Sequence, residues 1–159
     1  MTEPDLFLVV KTFADAGADF VLVGGFAVVA HDVLRTTEDS DLLIPDDSAN
    51  DSRVLKAVLA LNCTERGGQT INAQLMAAKD NLHLESPTAG RIDLLRGGLP
   101  PLDFESVSAS AMHGELNEVP LKVAGLSSLV AFKRLAGRPQ DLADLAKLEE
   151  IHGPLPDPS

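Results

Sequence analysis

The sequence predicts a mixed α/β (α+β) fold, a sheet of about four to six strands flanked by helices and followed by a helical C-terminal part. Three observations carry that expectation. The chain has 159 residues, 45% of them apolar, enough to build one packed core. Short apolar runs of strand length alternate along it with helical patterns. Between His83 and Leu95, two such runs are joined across Ser86-Pro87-Thr88-Ala89-Gly90, which signals a hairpin.

Pro4 suits the first turn of a helix that places Leu6, Phe7, Val10, Phe13 and Ala14 on one face and stops at Gly17. Phe20-Val21-Leu22-Val23 is a continuous apolar run ended by two glycines and reads as a buried strand. Phe26 to Val33 then reads as helix, and Ser40 to Ile44 as a second strand closed by Pro45. Ser48, with Asp51 three residues on, forms a variant capping box for a helix carrying Val54, Leu55, Val58, Leu59 and Leu61. A short helix is expected from Ala73 to Lys79, strands at His83–Glu85 and Arg91–Leu95, and a further strand at Leu121–Val123. Two helices close the pattern, Leu126 to Ala136 and Pro139 to about Glu150, separated by Gly137 with Pro139 at a favoured first position. Residues 1–151 are expected to form a single domain. Residues 152–159, with three prolines, are expected to form a flexible tail.

Composition narrows the function. The net charge of −11 and a pI near 4.6 argue against broad, nonspecific nucleic-acid binding, which needs Lys and Arg to neutralise phosphates. With no Trp or Tyr and six Phe, a base-stacking platform is not expected. The longest apolar run, Phe20 to Ala30, spans 11 residues and is broken by Gly24-Gly25, too short to cross a bilayer. Cys63 is alone, so no disulfide forms within the chain; the acidic start lacks a secretory pattern, and the expected location is the cytoplasm. Cys63 itself reads as a small buried hydrophobe. His31, His83, His113 and His152 show no metal-ligand spacing.

The chemistry concentrates between Val21 and Ile44. A strand runs through Gly24-Gly25 directly into a helix, where a ligand can approach the backbone closely and N–H groups favour an anion. The segment is neither a Walker A loop nor a dinucleotide fingerprint. Asp39-Ser40-Asp41 follows, and in a strand two residues so spaced share a face, ~7 Å apart. Paired carboxylates on one face fit a hard divalent ion such as Mg²⁺. They also fit a solvated acidic loop, since residues 37–51 hold six acids and no base. Asp93, inside the apolar run Ile92-Asp93-Leu94-Leu95, needs a partner: a cation, a salt bridge with Arg91 or Arg96, or the sheet edge. If its strand lies beside that of Asp41, three carboxylates converge near the glycine turn, an arrangement suited to metal-assisted nucleotidyl transfer.

Gly24-Gly25, then Asp39-x-Asp41, then Asp93, resembles the DNA polymerase β-like nucleotidyltransferase superfamily, and more closely its small prokaryotic members of the minimal and abortive-infection toxin types. The likeness covers roughly residues 18–150. It extends to Val-Gly-Gly-Phe-Ala-Val-Val-Ala-His, to Arg35-Thr36-Thr37-Glu38-Asp39-Ser40-Asp41, and to a late segment from Phe132 to Asp144. The resemblance implies a nucleotidyltransferase-like fold and transfer of a nucleoside monophosphate from a nucleoside triphosphate onto a hydroxyl. Asp39, Asp41 and Asp93 would be the catalytic, Mg²⁺- or Mn²⁺-binding carboxylates. Gly24, Gly25, Arg35, Thr37 and Lys133 would contact the nucleotide, while Arg138, Asp141 and Asp144 match the late motif. Arg35 also suits a salt bridge with Asp144, Lys133 suits an exposed helix face, and Asp141 suits a favourable interaction with a helix dipole. The acceptor implied is a protein, an RNA end or a cationic small molecule, with a toxin or antitoxin partner or a second copy of the chain alongside. The alternative is a catalytically weak or inactive member acting as an antitoxin-like or regulatory binding partner. Two departures stand out: Asp32 where the family often has glycine, adding charge near the nucleotide, and Ser40 where it usually has an apolar residue.

Overall fold

The computed structural model describes residues 2–156. Its elements are α1 (Leu6–Asp15), β1 (Val21–Val23), α2 (Gly24–Ala30), β2 (Asp39–Ile44), α3 (Ser48–Ala60), β3 (Thr64–Glu65) and α4 (Ala73–Ala77). They continue with β4 (Leu82–Ser86), β5 (Gly90–Arg96), α5 (Phe104–Ala109), β6 (Met112–Leu116), β7 (Val119–Val123), α6 (Leu126–Ala136) and α7 (Pro139–His152). The strands make one sheet in the order β3-β4-β5-β2-β1-β7-β6. It is mixed: β2 runs parallel to β5 and β1 parallel to β7, while β1–β2 and the β4–β5 and β6–β7 hairpins are antiparallel.

The period-two alternation of strand side chains divides the interior into two layers. Leu42 and Ile44 of β2, with Leu22, Ile92 and Leu94, face a large core built with Val9, Val10 and Phe13 of α1 and Val54, Ala57 and Val58 of α3. Val21, Val23 and Leu43 face the other way, onto Val107 of α5, Ala124 and the partly buried Phe132 of α6. Asp39 and Asp41 share this second face with Leu43, by the same alternation. The main core therefore anchors β2 from behind while its acids project from the front.

Several boundaries differ from the sequence expectation, each for a local reason. The sheet has seven strands rather than four to six, because Thr64–Glu65 is too short to show a pattern and β6 is a mostly exposed edge with no apolar alternation. Helix α5 is likewise additional. Pro4 lies ahead of α1, whose N-cap is Asp5, its carboxylate accepting from Leu8 N at 3.0 Å. The cap of α3 is Asp47, accepting from Ala49 N, and not a Ser48–Asp51 box. Asp51 instead turns inward to Lys79 and Arg96, the latter 2.7 Å away. Helix α2 starts at Gly24 and stops at Ala30; the chain then turns through Asp32 at φ 74°, a left-handed conformation that explains why glycine suits this position.

The C-terminal end is tied back. His31 is buried, its Nε2–H donating to Ala124 O at 2.8 Å, and His152 Nε2–H donates to the His31 carbonyl at 2.7 Å. Leu155 packs against the core and Pro156 O accepts from Arg134, while residues 157–159 of the expected tail lie outside the described residues. Cys63 is buried, which pushes its thiol up to about 12. Among the described residues no helix is long and apolar enough to cross a membrane.

Ser40, fully buried on the main-core face, has no hydrogen-bond partner for its hydroxyl. An unsatisfied buried hydroxyl costs about 1–3 kcal/mol. Ser40→Ala is therefore expected to stabilise the protein by about 1 kcal/mol, read as a higher urea midpoint at unchanged slope.

Candidate active site

The β2–β5 ladder pairs Asp41 with Asp93 and Asp39 with Arg91. Parallel neighbours in register point to the same face, so Asp93 joins Asp39 and Asp41 on the front of the sheet. One carboxylate oxygen from each of the three lies within 4.8 Å of the others. Asp39 Oδ1 is buried with no hydrogen-bond partner. Burial, and after it the charges of Asp93 and Asp39, push the Asp41 carboxyl up to about 7. Burial and the Asp93 charge raise Asp39 as well, with Arg66 and Arg91 opposing. An oxygen-only donor set with an orphaned, desolvated acceptor fits a hard divalent cation.

The glycines serve this cluster directly. Gly24 sits at φ +70°, and a Cβ there would overlap the Asp41 carboxylate. At Gly25 a Cβ would stand 2.6 Å from Thr37 Oγ1 and 3.4 Å from Arg35 Cζ, so its bareness admits the residue 35–37 loop onto the first turn of α2. Thr37 Oγ1 in turn donates to Asp39 O at 3.3 Å. The result is a cleft of about 530 Å³ whose walls include Gly25, Arg35, Thr37 and Lys133 beside the three acids. Gly24 packs beneath Asp41 and is not among the lining residues. Asp32 is exposed and also absent from the lining, so its charge does not enter the cleft.

A second set of charges, mutually paired, forms the far wall. Asp144 on α7 meets Arg35 Nη1 at 2.6 Å and Lys133 Nζ at 3.0 Å, and accepts from Gln140 at 2.9 Å. Asp141 meets Lys133 at 2.9 Å and Arg138 Nε at 2.7 Å. Lys133 is thus buried and doubly paired, not a solvated helix lysine. Asp141 does occupy the first turn of α7, accepting from the Arg138 backbone N–H at 3.1 Å. Burial raises its pKa, but Arg138 and Lys133 outweigh that and hold it at about 2.

Asp93 finds partners other than Arg91 and Arg96. Arg66 Nη2 pairs with its Oδ1, and His83 Nδ1 lies 2.9 Å from the same oxygen. Arg96 instead binds Asp51. Neither Arg66 nor His83 stood out from the sequence, yet a signal for His83 was present. The hairpin closes with Ser86 opposite Gly90, and continuing that register sets His83 opposite Asp93.

No family model and no curated protein matches the sequence. The fold is nucleotidyltransferase-like. Solved structures of similar shape include the antibiotic-resistance factor ANT(2'')-Ia in solution, with TM-score 0.63, 11% identity, and coverage of 91% of this chain and 80% of that one. ANT(2'')-Ia in complex with adenylyl-2''-tobramycin gives TM-score 0.62 at 12% identity, over 91% and 86% of the two chains. The lincosamide antibiotic adenylyltransferase LnuA, lincomycin-bound, gives TM-score 0.65 at 14% identity, over 92% and 95%. At such identities the likeness is one of fold.

Removing Asp144 strands Arg35 and leaves the buried Lys133 with Asp141 alone, so Asp144→Ala is expected to cost about 3 kcal/mol in chemical denaturation. For Asp41 the folded pKa stands above the unfolded one, so ion-free protein loses stability as pH rises from about 4 through about 7. Asp41→Asn cannot ionise. In chelator at pH 8 its Tm should exceed that of wild type by about 5 °C, with the difference vanishing near pH 4.

Proposed function

We propose that this chain is a divalent-cation-dependent nucleotidyltransferase that moves a nucleoside monophosphate from a nucleoside triphosphate onto a hydroxyl of a small molecule. The observation that carries the reading is the meeting of the Asp39, Asp41 and Asp93 oxygens within 4.8 Å, with Asp39 Oδ1 unpartnered. Asp39 and Asp41 would hold the ion, Mg²⁺ or Mn²⁺. When bound, it neutralises the triphosphate and the charge that builds as the α–β phosphate bond breaks. The acceptor oxygen forms the new bond to the α-phosphorus, and pyrophosphate leaves. We assign the hydroxyl's proton to Asp93, held in orientation by His83 at 2.9 Å. Arg35, Thr37 and Lys133 flank the cleft where the phosphates would lie, Lys133 and Arg35 being fixed there by Asp144.

The solved structures of similar fold support a small-molecule acceptor and an adenylyl donor, one holding adenylyl-2''-tobramycin and another being a lincosamide adenylyltransferase. They lend no such support to a protein or RNA acceptor or to a toxin–antitoxin pairing. The reading also places the protein in the cytoplasm, where nucleoside triphosphates and Mg²⁺ are supplied.

A second reading is favoured by one observation: the Arg66 guanidinium already pairs with Asp93, and His83 lies at hydrogen-bond distance from the same oxygen. It makes the chain a binding partner that takes nucleotide without turnover. Incubation with labelled ATP, CTP, GTP or UTP, Mg²⁺, and lincomycin, tobramycin or a cell lysate separates the two. Expected is label that depends on Mg²⁺ and falls by about a thousandfold or more in Asp39→Ala and Asp41→Ala. Nucleotide and Mg²⁺ binding with no label in any arm, from wild type and Arg66→Ala alike, establishes the second reading instead.

A further inference from the structure

We propose that the acceptor is a hydroxylated small molecule with an apolar arm, and that the arm lies in a groove adjoining the catalytic cleft. This rests on the nucleotidyl-transfer reading and specifies its substrate class. The groove has a volume of about 550 Å³ and is lined by Leu43, Leu95, Leu99, Phe132 and Leu135 among others. That volume suits a compact organic molecule.

The groove adjoins the cleft, Leu95 lining both. Leu43 and Leu95 are the next front-face residues after Asp41 and Asp93, one strand repeat or ~7 Å further along β2 and β5. A molecule with its hydroxyl at the carboxylates therefore extends its body along the strands into this groove. Phe132 and Leu135, one turn apart on α6, supply one wall, and the loop after β5 with Leu99 supplies another.

Charge decides what kind of body fits. Among the described lining residues Arg96 alone is charged, and both its terminal nitrogens are engaged, Nη1 by Asp51 at 2.7 Å and Pro45 O at 3.1 Å, Nη2 by Met76 O at 2.9 Å. A polycation finds no counter-charge there. An apolar arm finds leucines that the core does not use: Leu99 is 85% exposed and Leu135 76% exposed, and neither belongs to a core cluster.

The probes that isolate this claim are octyl glucoside, below its critical micelle concentration, and methyl glucoside, which carry the same hydroxylated ring and differ in the tail. Amide NMR titrations of the full chain, without nucleotide or metal, should show octyl glucoside shifting Leu95, Gly97, Leu99 and Leu135. It should bind about a hundredfold more tightly than methyl glucoside. The double variant Leu99→Gln/Leu135→Gln changes exposed positions, keeps its Tm, and should bind the octyl probe about tenfold more weakly. Equal affinity for the two glucosides, shifts confined to other surfaces, or unchanged binding by the double variant each overturn the groove assignment. Octyl glucoside should also inhibit acceptor labelling by wild type more strongly than by the double variant, and equal inhibition overturns its role in acceptor binding. Groove binding with no nucleotide transfer in any arm counts against the catalytic reading instead, so the two failures are distinguishable.

Discussion

Asp41 and Asp93 stand side by side in the parallel β2–β5 ladder, and much of the site answers to the repulsion between them. The apolar face of the same strands, from Leu42 and Ile44 to Ile92 and Leu94, is buried in the main core, so neither strand can slip by one residue to separate the acids. The repulsion is met by bringing arginines and a hydrogen-bonding histidine to the rim. Arg66 and His83 reach Asp93 from the β3–β4 side, and Arg91 sits across from Asp39. Asp41 has no direct cationic contact among the ion pairs described, and burial together with the Asp93 and Asp39 charges pushes its carboxyl up to about 7.

Beside this overcharged cluster lies one whose charges are all paired. Arg35, Lys133 and Arg138 meet Asp141 and Asp144 in a network that joins the loop after α2 to both C-terminal helices. The two clusters differ in energetic character. In the second set three cations share two carboxylates, so every charge has a partner and the set holds elements together at little net charge. The acids of the first set raise one another's pKa and depend on a ligand of opposite sign for relief. Stability and chemistry are thus assigned to adjacent walls of one cleft.

Local pattern made most of the scaffold legible. Leu126–Ala136 is delimited by its own periodicity and by Gly137, and the β4–β5 hairpin by its turn residues, because those signals lie within a few residues of what they specify. The three acids were legible because the resemblance names them and because a charge inside Ile92-Asp93-Leu94 demands a partner. Arg66 and the burial of Lys133 were not, since both depend on residues far along the chain or on helix packing that leaves no local trace. Edge strand β6 escaped for the opposite reason: Met112-His113-Gly114-Glu115-Leu116 is mostly exposed and carries no alternation to read. The glycine turn was legible as a close approach, but what approaches Gly24 in the structure is the chain's own carboxylate.

That contact couples two positions that are separate in the chain. With Asp41 in place, a methyl group at position 24 collides with it, and the left-handed backbone there already disfavours any side chain. A lineage that kept the acid would have to keep the glycine, whereas one that lost the acid would be released from the steric half of that restriction. Drift at position 24 among descendants of this sequence would therefore mark abandonment of the carboxylate, and persistence of the bare backbone would mark its retention.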